Sequence, residues 1–196
     1  MTRALACAAV LLVAPVSVAA QGRDTTLGRP VAVLVSGPRE GDRAPDFSLP
    51  WASRDTLVTD QPWFSLSAHR GKTVVLAFFP RAFTPGCTAQ LKTFTDQYTD
   101  LFGEDVVVVG ISADSLETQQ RFAASLGLPF RLLADRDQKV ATAWGSASDR
   151  AGYNRRTVFV IDPRGEVSYV DRQFRALEPA SYRDLDRAVE AARKGR

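Results

Sequence analysis

Cysteine, histidine and methionine are scarce in this chain of 196 residues, which holds two cysteines, one histidine and one methionine. Proteins bind soft metals such as zinc and copper through clusters of cysteine and histidine side chains. Two cysteines, Cys7 and Cys87, and one histidine, His69, are too few for such a cluster, so we expect no metal and no copper-delivery role. The chain also lacks a Cys-x-x-Cys pair, because Thr84 occupies its first position. This excludes a dithiol–disulfide oxidoreductase.

The sequence shows no repeat, low-complexity tract or glycine-rich phosphate loop, and its formal net charge is only +3. Binding to nucleic acid usually requires a strongly basic surface, so we expect no nucleic-acid partner. Hydrophobic residues make up 45 % of the chain and charged residues 24 %. These fractions are typical of one globular domain with a full-sized core.

The first twenty residues differ from the rest: a short basic start precedes an apolar run at residues 4–13 and then small residues. This order is typical of a cleavable secretory signal, and the apolar run is short for a membrane span. The alternative is a buried helix or an uncleaved anchor. We expect cleavage near Ala20, a leader or linker over residues 21–40 and a domain over residues 41–196. The exported protein, periplasmic or secreted, would keep Cys87 as its single thiol.

The rest of the chain alternates segments typical of strands with segments of helical periodicity. Continuous apolar, β-branched runs predict buried strands, and apolar residues at every third or fourth position predict amphipathic helices. The predicted strands cover residues 46–50, 72–79, 105–112, 131–134, 156–161 and 166–170, and the predicted helices residues 87–102, 115–126, 138–144 and 179–193. This alternation predicts an α/β fold, and a tight hairpin at Asp162–Gly165 makes its central sheet mixed.

The loop between the predicted strand at residues 72–79 and the next helix carries the chemistry. Cys87 falls in the first turn of that helix, where unpaired backbone N–H groups and the helix dipole favour a thiolate. Thr84 precedes it by three residues and can place its hydroxyl beside the sulfur, while two prolines and a glycine fix the path of the loop. This arrangement predicts a nucleophilic cysteine. The alternative is a small buried hydrophobic residue.

The pattern Pro80-x-x-x-Thr84-x-x-Cys87 resembles the active-site signature of the peroxiredoxins. Within that family, Thr84-Pro85-Gly86-Cys87-Thr88 resembles the bacterioferritin comigratory protein subgroup. The similarity covers roughly residues 41–189, and its further segments are Gly41–Pro50, Arg70–Lys72, Val109–Ser112 and Arg156–Asp162. It implies a thioredoxin-like fold, in which a central mixed sheet is flanked by helices.

The resemblance also implies a role for each residue of the site. Cys87 is the peroxidatic cysteine, Thr84 hydrogen-bonds the peroxide and the thiolate, and Pro80 shields the site from water. Arg156 is the active-site arginine in preference to its neighbour Arg155. A guanidinium there would stabilise the thiolate and offer fixed donors to the peroxide oxygens. The implied activity is a thiol-dependent peroxidase that reduces hydrogen peroxide and organic hydroperoxides without a cofactor.

Many members of the subgroup carry a second, resolving cysteine five residues after the first, where this sequence has Lys92. Because the expected mature chain has no other cysteine, no internal disulfide can form. An external thiol or a thioredoxin-like reductant must then restore Cys87, in a monomer or a homodimer. The alternative is a disulfide between the Cys87 residues of two chains.

Two other functions remain open from the sequence. A one-cysteine thiol exchanger would be favoured if Cys87 reacted slowly with peroxide but readily with disulfides. A non-catalytic binding domain would be favoured if Cys87→Ser left every activity intact.

Overall fold

A computed structural model of the chain describes residues 37–150 and 152–195. The predicted signal peptide, residues 1–20, and the predicted leader up to residue 36 lie outside these ranges, so both stay predictions. No helix in the described ranges is long and apolar enough to cross a lipid bilayer.

A mixed β-sheet forms the centre of the described domain. The strands are β1 Ser48–Leu49, β2 Trp51–Ala52, β3 Leu57–Val58, β4 Phe64–Ser65, β5 Thr73–Phe78, β6 Val106–Ser112, β7 Arg131–Ala134, β8 Thr157–Ile161 and β9 Val167–Asp171. Seven of them form one sheet in the order β3-β2-β7-β6-β5-β8-β9, and β1 pairs with β4. Strands β5, β6 and β7 are parallel, whereas β8 is antiparallel to β5 and β9 to β8. The predicted mixed sheet is confirmed.

The segment before β5 is more broken than its sequence indicates. The predicted strand at residues 46–50 pairs only at Ser48–Leu49, and the prediction misses β2, β3 and β4 altogether. Each of these strands has two residues. That length is too short to produce the alternation of apolar and polar residues on which strand prediction depends.

Helices cover both faces of the sheet. They are α1 Pro85–Asp96, α2 Tyr98–Phe102, α3 Leu116–Leu126, α4 Lys139–Ala143 and α5 Pro179–Lys194, with a 3₁₀ helix at Ser67–His69. Apolar residues of α1, α2, α3 and α5 share one buried cluster with the sheet. Those of α4 belong to a second cluster. Helices on both faces complete the predicted α/β architecture.

Strand β5 is buried on both faces and gives the site a rigid base. Its residues alternate between the two clusters: Val75 and Ala77 belong to the first, Leu76 and Phe78 to the second. All six residues of the strand are buried, as predicted from the continuous apolar run. The loop that leaves its C-terminal end therefore starts from a fixed point.

The prediction of one helix over residues 87–102 is wrong. Helix α1 begins earlier, at Pro85, because proline is favoured at the first helical position. It ends before Gln97, whose φ of −112° and ψ of 22° are not helical. Thr93 and Thr95 each donate a hydroxyl to a carbonyl oxygen one turn earlier, at 2.9 Å. Such bonds bend helices, which explains the break before α2.

The hairpin between β8 and β9 has the predicted tight turn. Gly165 N–H donates to the carbonyl of Asp162 at 2.8 Å, and its φ of 83° is one that glycine adopts without strain. The Asp162 carboxylate accepts from Glu166 N–H at 2.9 Å and from Arg164 Nε at 2.8 Å. Burial alone would raise the pKa of Asp162, but these donors and the charge of Arg164 hold that pKa below its ordinary value.

We expect Asp162→Asn to lower the free energy of unfolding by about 1–2 kcal/mol at pH 7, because a charged acceptor is lost from the turn. Since the pKa of Asp162 is lower in the folded than in the unfolded chain, its stabilising contribution exists above the unfolded value of about 3.9. That contribution disappears as the pH falls through the folded value. The difference in free energy of unfolding between wild type and variant, measured by urea denaturation, should therefore be smaller at pH 3 than at pH 7. Asp55→Asn, at an exposed position, is the control. An equal gap at both pH values would contradict the prediction.

Candidate active site

The site lies where β5, α1 and β8 meet. The loop of residues 79–84 joins the C-terminal end of β5 to α1, at the edge of the sheet where ligand sites collect in α/β folds. Phe78, the last residue of β5, pairs with Thr157, the first residue of antiparallel β8. The residue before β8, Arg156, therefore lies beside the loop that follows β5.

Cys87 occupies the third position of α1 and is 0 % exposed. Thr84 is the residue that precedes the helix, and within the described residues its side chain makes no capping hydrogen bond. The bond from Thr88 N–H to the Thr84 carbonyl, 2.9 Å long, opens the helical series. The N–H groups of Gly86 and Cys87 come before it and so have no acceptor inside the helix. Together with the helix dipole they favour negative charge at the sulfur.

Arg156 is the charged partner of the sulfur. Its Nη2 atom lies 3.4 Å from Cys87 Sγ, and its Nη1 atom donates to Gln90 Oε1 at 2.6 Å. The side chain of Arg155 is 54 % exposed and pairs with Asp149 at 3.3 Å. The structure thus brings Arg156 to Cys87 and leaves Arg155 at the surface.

Gln90 is a site residue that the sequence analysis missed. It follows Cys87 by one turn of α1 and is 0 % exposed. Its oxygen holds Arg156, while its Nε2 atom is buried and has no partner among the described residues. The amide orients the guanidinium without neutralising it. Its spacing of three residues from Cys87, which places two side chains on one helix face, is the signal in the sequence that could have identified it.

We expect Gln90→Glu to slow the reaction of Cys87 with hydrogen peroxide at pH 7 on the order of tenfold, because a carboxylate would offset the charge of Arg156. Stopped-flow measurement at pH 7 tests this. Gln90→Met removes the contact without adding charge, so a loss of rate equal to that of Gln90→Glu would contradict the electrostatic reason.

Thr84 and Pro80 stand close to the sulfur in sequence, but the contacts of Thr84 differ from those expected. Its hydroxyl donates to the Arg81 carbonyl at 2.9 Å, and in the described part of the chain no hydrogen bond joins it to Cys87. Because the hydroxyl proton is used in the hydrogen bond to the Arg81 carbonyl, the hydroxyl oxygen can still accept a hydrogen bond from the O–H group of a hydroperoxide. Pro80 is half-buried, and its role as a shield stays a prediction.

The sulfur is covered by protein. Pockets of about 700 Å³ and 670 Å³ lie along the outer side of α1 and beside the start of α3, and Cys87 lines neither. Within residues 37–150 and 152–195, no group of three or more histidine, cysteine, aspartate or glutamate side chains could hold a metal ion. Because Cys87 is 0 % exposed, a reactant of any size, hydrogen peroxide included, reaches the sulfur only when the chain around it moves.

Residues 40–170 match the AhpC/TSA family, and the chain belongs to this family. A Mycobacterium tuberculosis protein that bears the name peroxiredoxin is 38 % identical over 133 residues, which cover 65 % of this chain and 80 % of the relative. A Coxiella burnetii protein that bears the name peroxiredoxin bcp is 38 % identical over 136 residues, 66 % of this chain and 85 % of the relative. The crystal structure of peroxidoxin BcpB from Mycobacterium tuberculosis is similar with a TM-score of 0.68 at 30 % identity, over 80 % of this chain and 99 % of that one.

These similarities confirm two predictions made from the sequence. The fold is that of the thioredoxin-like peroxiredoxins. The activity is that of a thiol-dependent peroxidase, and the relatives are of the bcp type.

Proposed function

We propose that this chain reduces hydrogen peroxide and organic hydroperoxides at Cys87. The observation that carries the proposal is the 3.4 Å contact between Arg156 Nη2 and Cys87 Sγ, at the first turn of α1. The contact places a fixed positive charge beside the one free cysteine of the described residues. The backbone N–H groups at the start of α1 lie in the same helical turn as the Cys87 sulfur, and they can bind the second oxygen of a peroxide.

The reaction is a displacement at oxygen. The Cys87 thiolate attacks the terminal O–H oxygen of the hydroperoxide, so that an S–O bond forms while the O–O bond breaks. The leaving oxygen takes the electron pair, gains a proton from solvent and departs as water or an alcohol, and Cys87 becomes a sulfenic acid. Arg156 stabilises the charge on the leaving oxygen, while the Thr84 hydroxyl accepts the hydrogen bond that orients the hydroperoxide. Pro80 keeps water from the sulfur.

Regeneration of Cys87 uses an external thiol or a thioredoxin-like reductant. The position five residues after Cys87 holds Lys92 and therefore supplies no second thiol. The Lys92 side chain is exposed and pairs with Asp96 at 2.9 Å. A reductant thiolate attacks the sulfur of the sulfenic acid, so that an S–S bond forms while the S–O bond breaks. The hydroxide that leaves takes a proton from solvent and becomes water, and a second thiol then reduces the mixed disulfide. Because Cys87 is 0 % exposed, the first turn of α1 must move during this step.

The rate of oxidation of the purified chain, compared with that of free cysteine at the same pH, tests this function. Stopped-flow measurement with hydrogen peroxide and tert-butyl hydroperoxide should give rates far above that of free cysteine, and Cys87→Ser supplies the zero point. A rate equal to that of free cysteine would overturn the proposal, and fast reaction with disulfides would then favour the thiol exchanger. Turnover with dithiothreitol and with a thioredoxin system distinguishes the two kinds of reductant.

The cellular setting follows from the predicted signal. An exported protein, periplasmic or secreted, would begin near Gln21 in its mature form and work as a monomer or a homodimer. Intact-mass measurement of protein recovered from the periplasm and the medium would give the mature N-terminus. Light scattering would give the oligomeric state. Full-length protein retained in the cytoplasm would contradict export.

A further inference from the structure

Asp114 is a nearly buried carboxylate that the reaction above does not use. It follows β6, the strand beside β5, and its side chain is 9 % exposed. Its Oδ2 atom accepts from Ala82 N–H at 2.7 Å and from Ser112 Oγ at 2.8 Å. Its Oδ1 atom lies 3.9 Å from Arg81 Nε. A side chain that follows β6 therefore holds the loop that follows the neighbouring strand, β5.

The same peptide group links Asp114 to Thr84. The N–H of Ala82 and the carbonyl of Arg81 belong to one peptide unit, which donates to Asp114 on one side and accepts from the Thr84 hydroxyl on the other. A peptide held by a charged acceptor is polarised, so its carbonyl becomes a better acceptor. Asp114 thus acts on the hydroxyl of Thr84 through a single rigid group.

The loop requires such an anchor because its backbone is strained. Phe83 has a φ of 59°, the left-handed region that residues other than glycine rarely adopt. Such a conformation is strained and persists only where the surroundings hold it. Asp114 holds the residue before Phe83, and the ring of Phe122 packs at 4.9 Å between centroids.

The carboxylate is itself held by buried groups. Ser112 Oγ, which donates to Asp114, accepts from Gln119 Nε2 at 3.0 Å, and the same nitrogen donates to the Leu133 carbonyl at 2.9 Å. Ser112 and Gln119 are both 0 % exposed. The position of Asp114 is thus fixed by α3, β6 and β7 together.

We propose that Asp114 is a positioning residue for the peroxidase step. Through the Arg81–Ala82 peptide it keeps the proton of the Thr84 hydroxyl directed away from the sulfur, so that the hydroxyl oxygen stays free to accept from the hydroperoxide. Asp114 touches no reacting atom. The inference rests on the role proposed for Thr84.

A double-mutant cycle with Thr84→Val tests the inference. Asp114→Ala should lower the second-order rate constant for oxidation by hydrogen peroxide about tenfold in the wild-type background and add almost nothing in the Thr84→Val background. Alkylation of Cys87 by iodoacetamide should stay unchanged, because Arg156 and the start of α1 are untouched. Asp114→Asn keeps an acceptor oxygen for the Ala82 N–H but loses the negative charge that polarises the peptide, so it should recover only part of the oxidation rate.

Asp135→Ala is the matched control. Asp135 is also buried, and its carboxylate accepts from the backbone N–H groups of Val140 and Ala141. Among the described residues, its side chain has no hydrogen bond to residues 79–84. Its loss should lower stability and leave the oxidation rate unchanged. If Asp114→Ala does not fold, Ser112→Ala removes a donor to the carboxylate but keeps the carboxylate itself, and its smaller loss of rate should likewise vanish in the Thr84→Val background.

Two results would overturn the inference: an equal loss from Asp114→Ala with and without Thr84, or a parallel loss of alkylation and oxidation rates. Wild-type protein that oxidises no faster than free cysteine would instead overturn the proposed function, so the two failures are distinct.

Discussion

Arg156→Ala should slow the oxidation of Cys87 by hydrogen peroxide by about 10²- to 10³-fold, the loss typical of removing one fixed donor from a site where negative charge develops. The guanidinium contacts the sulfur at 3.4 Å and is half-buried, so water replaces it poorly. The variant loses stabilisation of both the attacking thiolate and the leaving oxygen. Stopped-flow kinetics at several peroxide concentrations measures the second-order rate constant directly.

Arg156→Lys separates charge from geometry. A single ammonium group cannot reach Gln90 and Cys87 at once as the two ends of a guanidinium do, so lysine should recover only part of the rate. Arg155→Ala is the control and should change the rate by less than about twofold, because its side chain pairs with Asp149 at the surface. If Arg156→Ala stays within about threefold of wild type, the contact with the sulfur has no catalytic role.

Thr84→Val should lower the same rate constant on the order of 10²-fold while leaving the shape of the side chain almost unchanged. In the wild type the Thr84 hydroxyl donates to the Arg81 carbonyl at 2.9 Å. Valine supplies neither that donor nor an acceptor for the hydroperoxide. Thr84→Ser keeps the hydroxyl and should stay close to wild type. Oxidation by hydrogen peroxide and by tert-butyl hydroperoxide should fall together, since both present an O–H group.

Alkylation by iodoacetamide distinguishes this loss from a general disturbance of the site. The reagent needs the Cys87 thiolate but no hydrogen bond from a hydroperoxide, so Thr84→Val should alkylate at the wild-type rate. Slower alkylation by the same factor would show that the variant changes the sulfur's surroundings, and the assigned role of Thr84 would then be wrong.

The parts of the site that local sequence predicts are those that lie on continuous elements. The apolar run of β5 and the position of Cys87 in the first turn of a helix follow from residues a few positions apart. The structure confirms both, although α1 begins at Pro85 and not at Cys87. Gln90 belongs to the same class, because it shares a helix face with Cys87. The ends of helices are harder to predict from sequence. The break at Gln97 depends on hydrogen bonds from threonine hydroxyls to backbone carbonyls, and composition alone does not show that these bonds form.

Contacts between elements could not be derived from local patterns. Arg156 and Cys87 are 69 positions apart, and their contact depends on the antiparallel register in which Phe78 faces Thr157. Only the resemblance to a family pointed to Arg156. Asp114 reaches Ala82 because β6 lies parallel to β5, a pairing that spacing does not reveal.

The neutral side chain of Gln90 also has a consequence for the second half of the catalytic cycle. In the reduced state the charge of Arg156 is balanced by the thiolate it contacts. Oxidation to a sulfenic acid removes the negative partner, and the amide of Gln90 does not replace it. The oxidised site therefore holds an uncompensated positive charge and favours the next anion to arrive, the thiolate of the reductant. One arginine thus attracts in turn the two sulfur nucleophiles of the cycle, first the protein's own and then that of the reductant.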